Sequence, residues 1–265
     1  MDLHDVICLG VAGNFAHHLK QAGEEEDFKD VVTDNVDAPK GIFPFYLPSS
    51  EGFLGLYSIG TDTLQLPNYT ANAQVEPEIS VLFDIDYNSS YEVIDLIAKQ
   101  FTTFNDCTIR KEGAKKISEK KSWGVNSKGI GDKWIPIDTF EEGGVMDNYH
   151  LCSFVKREGI LHPYGVDAPL LGYSYFYSKL KLWLIDKINH QKEFGPLEDI
   201  YKHLQDCKYP KQALVSIGAT AYAEFGENNY LKRGDEVYVI AYDKHKDDAS
   251  LSASPSKVIL HQKVV

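Results

Sequence analysis

Cysteine is scarce in this chain: Cys8, Cys107, Cys152 and Cys207 are the only four in 265 residues. They stand far apart with no C-x-x-C pair, which argues against a zinc knuckle and offers no disulfide framework. Free thiols in a reducing compartment fit that usage, and the expected location is the cytoplasm. Long apolar runs are also missing. The most apolar stretch, YSYFYSKLKLWLIDKI at 173–188, is broken by Lys179, Lys181, Asp186 and Lys187 and falls short of a membrane span. The first residues, MDLHDVICLGVAGNF, set two acids before a short apolar run, the wrong charge and length for a secretory signal. Positive charge is in deficit. A net charge of −12 excludes a broad basic surface for nucleic acid or anionic lipid, although a few cations inside one pocket can still draw in a small anionic substrate.

What the chain does contain is a core. Hydrophobic residues make up 43% of it, and 16 Tyr, 13 Phe and 3 Trp give a surplus of aromatics that favours strands. The length and the absence of repeats or low-complexity linkers predict one domain over 1–265, with 1–72 forming an N-terminal lid and edge strands. "DVICLG" reads as a strand, followed by the glycine turn "GVAGN" and a helix capped by Asn14. Gly10 and Gly13 make neither a dinucleotide fingerprint nor a P-loop. "APKGIFPFYLPSSEGFLG" is broken by proline, as a loop or edge strand is. "SSYEVIDLIAKQ" reads as a short helix with Val93, Ile94 and Ile97 at helical spacing. "FTTFNDCTIR" returns to strand, so Asn105 and Asp106 fall near a strand end. "HLCSFVKREGILHPYG" reads as two strands joined at Lys156 to Gly159, and Tyr173 to Ile188 as a helix with a core-facing stripe.

"AQVEPEISVLFDID" at 73–86 alternates like a strand, with Gln74, Glu76, Glu78, Ser80, Asp84 and Asp86 on one face and Val75, Ile79, Val81, Phe83 and Ile85 on the other. Two carboxylates roughly 7 Å apart at the backbone repel if they turn into a pocket, and a cation resolves that repulsion. The same E-x-E is also simply the wet face of an antiparallel strand.

Four segments in order decide between these: "VICLGVAGNFAHHLKQAGE", "EPE", "NDCTIR" with the later "SKGIGDKWIPI", and "SIGATA…LKRGDEV". Together they resemble the fumarylacetoacetate hydrolase family, which carries N-Y-x-x-H, E-x-E, N-D-x-x-x-R, a downstream lysine, G-T-P and L-x-P-G-D. The resemblance runs from about residue 6 to about residue 242 and is thinnest over 141–200. It implies an α+β fold, a mixed β-sheet roll with a few peripheral helices, and a homodimer. It also implies a divalent metal, Mg²⁺ or Mn²⁺, acting on a C–C bond of a small keto acid such as an acylpyruvate or β-diketo acid.

Carried over position by position, the resemblance makes Glu76, Glu78 and Asp106 the metal ligands. Arg110 becomes a substrate clamp, for which a planar guanidinium is suited, and Thr220 a carboxylate binder. Lys128 adds positive charge at a developing oxyanion, with Lys133 the competitor for that role. His18 is the water-activating base, with His17 the adjacent alternative. The departures concern the chemistry. Where the family pairs its histidine with an acid three residues on, this chain has Gln21, and Glu24, Glu25 or Glu26 are the acids at hand to replace it; the proline of G-T-P is Ala221. Hydrolysis or decarboxylation is therefore expected first, with a same-fold isomerase or a non-catalytic metal- or small-acid-binding protein as alternatives. On this reading Glu76→Gln or Glu78→Gln lowers metal affinity with little loss, or a gain, of metal-free stability.

Overall fold

Strands dominate, as the β-branched and aromatic surplus requires. The computed structural model describes residues 2–15, 21, 23, 25–33, 35–69, 71–111 and 113–265. Among these the first strands are β1 (Ile7–Ala12), β2 (Gly41–Tyr46), β3 (Ile59–Gly60), β4 (Thr63–Leu64), β5 (Ala73–Gln74), β6 (Pro77–Tyr87), β7 (Val93–Asn105), β8 (Thr108–Ile109), β9 (Lys128–Ile130) and β10 (Ile135–Pro136). The remainder are β11 (Tyr149–Arg157), β12 (Ile160–Pro169), β13 (Gln212–Ser216), β14 (Glu236–Asp243) and β15 (Lys257–Val264). Among the described residues the helical elements are few, chiefly α1 (Ser118–Lys121), α2 (Tyr177–His190), α3 (Ile200–Asp206) and α4 (Glu224–Asn228).

An eight-stranded sheet runs β2-β1-β13-β6-β7-β9-β3, with β10 on β7, and a five-stranded sheet runs β12-β11-β14-β15-β4. Parallel pairs, β1 with β13, β3 with β9 and β15 with β4, sit among antiparallel ones, so both sheets are mixed. β6 and β7 of the first sheet pack on β11, β14 and β15 of the second. The core fills the gap between them with Ile79, Val81, Phe83, Phe101, Leu151, Val237, Val239 and Leu260. The α+β class with mixed sheets stands as expected. The proline-bearing stretch is β2, at the sheet edge where Pro44 deprives no inner neighbour of a donor. α2 buries Tyr177, Leu180, Leu184 and Ile188 of the expected stripe, with Trp183, against β7 and β2, while Tyr173 and Phe176 precede the helix.

Two expectations need correction. The segment read as a helix at 89–100 is a hairpin turn followed by β7. Asn88 accepts hydrogen bonds from the N–H groups of Ser90 and Glu92, and Tyr91 takes a left-handed φ of 63°. The cap signal therefore closes a turn, and Val93, Ile94 and Ile97, stiff at χ1, continue as strand against β6. Asn14 directs its carboxamide across the fold to the backbone of Tyr175 and Ile217; the helix it was expected to cap lies mostly outside the described residues. His17, His18 and Glu24 also lie outside them, whereas most of residues 1–72 is described and supplies β1 to β4. Among the described residues no helix is long and apolar enough to cross a membrane.

Candidate metal centre

β6 and β7 pair antiparallel with Pro77 opposite Asn105 and Glu78 opposite Phe104. That register brings the E-x-E at the start of β6 to the N-D at the end of β7. The backbone locks the meeting: the Asp106 N–H donates to the Glu76 carbonyl at 2.9 Å, and the Glu76 N–H donates to Asn105 Oδ1 at 3.3 Å. Both faces of β6 are buried here, so the wet-face reading of Glu76 and Glu78 fails. All three carboxylates are buried, with one oxygen of each within 4.8 Å of the others.

Each acid has different company. Glu78 accepts hydrogen bonds from the Ser216 hydroxyl and, at 2.8 Å, from the Gly218 N–H. Gly218 presents that N–H from a φ of +113°, with the position of a Cβ only 2.9 Å from Asn14, which is why glycine stands there. Burial, reinforced by repulsion from Asp106, holds the Glu78 carboxyl well above the usual range. Glu76 pairs with Arg110 at 3.3 Å and with Lys121. Asp106 pairs through one oxygen with Lys128 at 2.9 Å and through the other with Lys121 at 2.6 Å.

Lys128 begins β9 and is fully buried, donating also to the Cys107 carbonyl at 2.5 Å. Burial pulls its pKa down, and Asp106 opposes the shift. Its backbone is held by Gln262 of β15, whose amide also joins Asn105. A Cβ on the next residue, Gly129, would lie 2.1 Å from Gln262 Oε1, so the small residue keeps this link closed. Lys133, the competitor, donates to the carbonyls of Ser254, Pro255 and Lys257 instead and is a clamp on the C-terminal segment. Arg110 reaches the centre but is engaged there by Glu76, Gln74 and the Tyr222 hydroxyl. Thr220 is buried with its hydroxyl unbonded, and Ala219 rather than Thr220 borders the small cavity at the carboxylates. Gln21 uses both amide groups on the Tyr222 backbone.

Lys121 was not singled out in the sequence. It stands in a basic run, "KKISEKKSW", that reads as a solvated face; the usable signal was its position four residues after Ile117, which puts both on one side of a helical turn.

The donor set fits a hard divalent cation. Mg²⁺ takes carboxylate oxygens, the side-chain oxygens of Asp106 accept no hydrogen bonds beyond their ion pairs, and a cation would relieve the strained ionisation of Glu78. The adjoining cavity, about 20 Å³, is the size of one water or ion.

Residues 24–257 match a family of unknown function, DUF5718. The chain belongs to that family. No curated protein matches it by sequence. In structure, this DUF5718 chain is similar to a protein from Yersinia pestis CO92 assigned to the fumarylacetoacetate hydrolase family, at 14% identity and a TM-score of 0.54 over 98% of this chain and 94% of that one. It is likewise similar to a 2-hydroxyhepta-2,4-diene-1,7-dioate isomerase from Mycobacterium marinum, at 14% identity and a TM-score of 0.56, over 98% and 74% of the two chains. A 2-keto-3-deoxy-D-arabinonate dehydratase complexed with magnesium and 2,5-dioxopentanoate matches at 14% identity and a TM-score of 0.55, over 97% and 72%. The fold is thus that of the fumarylacetoacetate hydrolases, on which isomerases and dehydratases are also built.

Proposed function

We propose that this DUF5718 chain is an enzyme that acts on a small keto acid at the Glu76–Glu78–Asp106 centre, cleaving a C–C bond by hydrolysis or decarboxylation. The observation that carries the reading is the convergence of three buried carboxylates and the buried ammonium of Lys128 at one point of this fold. Glu76, Glu78 and Asp106 would hold the metal, Mg²⁺ or Mn²⁺. When bound there, it supplies Lewis-acid polarisation of a substrate carbonyl and stabilisation of an enolate.

The chain's own residues do the rest. Lys128, fixed by Asp106 and the Cys107 carbonyl, holds positive charge in a dry site where it acts on a developing oxyanion without reorganising. Arg110 orients Glu76 through the Gln74 and Tyr222 contacts and meets the substrate's carboxylate, and Thr220 offers its unbonded hydroxyl to the same group. His18 serves as the base of the hydrolytic variant. A second reading is favoured by Gln21, whose amide is committed to the Tyr222 backbone. With no acid at that position, isomerisation through the same enolate needs no activated water. We also propose a homodimer, as the family resemblance implies, and light scattering tests it.

Purified protein with Mg²⁺ or Mn²⁺ is to be incubated with oxaloacetate, acylpyruvates and hydroxymuconate-type diacids. Pyruvate release supports cleavage, and an ultraviolet shift without pyruvate supports isomerisation. Thermal stabilisation without any conversion rejects the enzyme in favour of a binding protein.

A further inference from the structure

We infer that Lys121 is the resident cation of the carboxylate centre, its ammonium standing where a divalent ion would, so that the ion and Lys121 exclude each other. The second half rests on the metal reading above; the first stands without it. Lys121 ends α1 and is buried, whereas its neighbour Lys120 reaches out to Asp27. Its Nζ bridges Glu76 and Asp106, the latter at 2.6 Å, with the Asp106 carbonyl at 3.4 Å and the face of Phe43 at 5.4 Å.

Three carboxylates stand among three cations, Arg110, Lys121 and Lys128, and Lys121 touches two of the three. A Mg²⁺ ion sits about 2.0–2.1 Å from its oxygens. An ammonium already within 2.6 Å of the same Asp106 carboxylate cannot stay beside it.

The test uses wild type, Lys121→Met and, as a neighbouring control outside the carboxylate centre, Lys120→Met. In EDTA, Lys121→Met is expected to lower the melting temperature by roughly 6 °C or more, Lys120→Met by far less. Mn²⁺ is expected to restore the Lys121→Met melt and, by calorimetry, to bind that variant at least tenfold more tightly than wild type. A drop in EDTA with no Mn²⁺ bound by either protein upholds the resident lysine and rejects the metal reading. Equal Mn²⁺ affinity with no drop in EDTA does the reverse. A Lys121→Met protein that folds only with Mn²⁺ present also upholds the inference. Wild type supplies a check that needs no variant: amine labelling of Lys121 rises as Mn²⁺ binds, and Mn²⁺ bound with Lys121 still protected overturns the exclusion.

Discussion

Replacing Lys128 by methionine separates a buried site lysine from a surface clamp. The ammonium is fully buried, 2.9 Å from Asp106 Oδ1 and 2.5 Å from the Cys107 carbonyl. Removing one partner of a buried ion pair costs about 3–5 kcal/mol because the other charge stays behind. Asp106 keeps Lys121 at 2.6 Å, which pulls the figure to the lower end. The Cys107 carbonyl loses a donor worth about 1 kcal/mol, and the apolar methionine recovers a similar amount by filling the space. The net expectation is a loss of about 3 kcal/mol, a fall of roughly 6–12 °C in a chain of this size. Lys133→Met, which removes hydrogen bonds to three carbonyls at the partly exposed C-terminal segment, should cost about 1 kcal/mol. Urea unfolding at pH 7 followed by tryptophan fluorescence reads both, since Trp123 lies 5.5 Å from the Lys128 ammonium. Asp106→Asn combined with Lys128→Met should recover part of the loss, the mark of coupling between the two. A Lys128→Met protein less than about 1 kcal/mol weaker than wild type, or no weaker than Lys133→Met, would refute the reasoning.

The two glutamates of E-x-E, alike in the sequence, should respond oppositely when metal is withheld. Contrary to the expectation from the sequence, Glu76→Gln removes a charge paired with Arg110 and Lys121 and should cost about 2–4 kcal/mol; Glu78→Gln, at a group that burial already holds toward its neutral form, should be neutral or stabilising in the same EDTA melts. Away from the centre, hydrogen bonds from Tyr238 and Lys156 hold the Glu236 carboxyl down at about 2. A depressed acid stabilises above its unfolded value of about 4.3 and loses that contribution as pH falls through the folded one. The melting gap between wild type and Glu236→Gln should therefore close between about pH 4 and pH 2, and a gap constant over that range would contradict the assignment. Gly129→Ala should cost about 1–3 kcal/mol by prising Gln262 from Asn105 and the Lys128 backbone, and a neutral result in urea unfolding would show that the contact relaxes freely.

By itself the sequence set the two glutamates on one strand face; that they are metal donors together with Asp106 is what the family resemblance implied. E-x-E and N-D are local spellings, and a strand's period of two was enough to set Glu76 and Glu78 on one side and to end a strand at Asn105. The downstream Lys128 was likewise offered by the resemblance, with Lys133 left open as its competitor. Tertiary structure decided which charges meet. Lys121 stands in the basic run KKISEKKSW and Lys133 in the glycine-bearing SKGIGDKW, yet it is the first that is folded inward over Phe43 and the second that turns outward onto the carbonyls of 254–257. The choice between helix and strand at 89–100 was likewise not local: Val93, Ile94 and Ile97 were read as helical spacing, and it was the hairpin turn at Asn88 and the waiting edge of β6 that made them a strand. Side-chain pairing across a sheet depends on register between segments far apart in the chain, and register is a property of the packed molecule, which no window of the sequence contains.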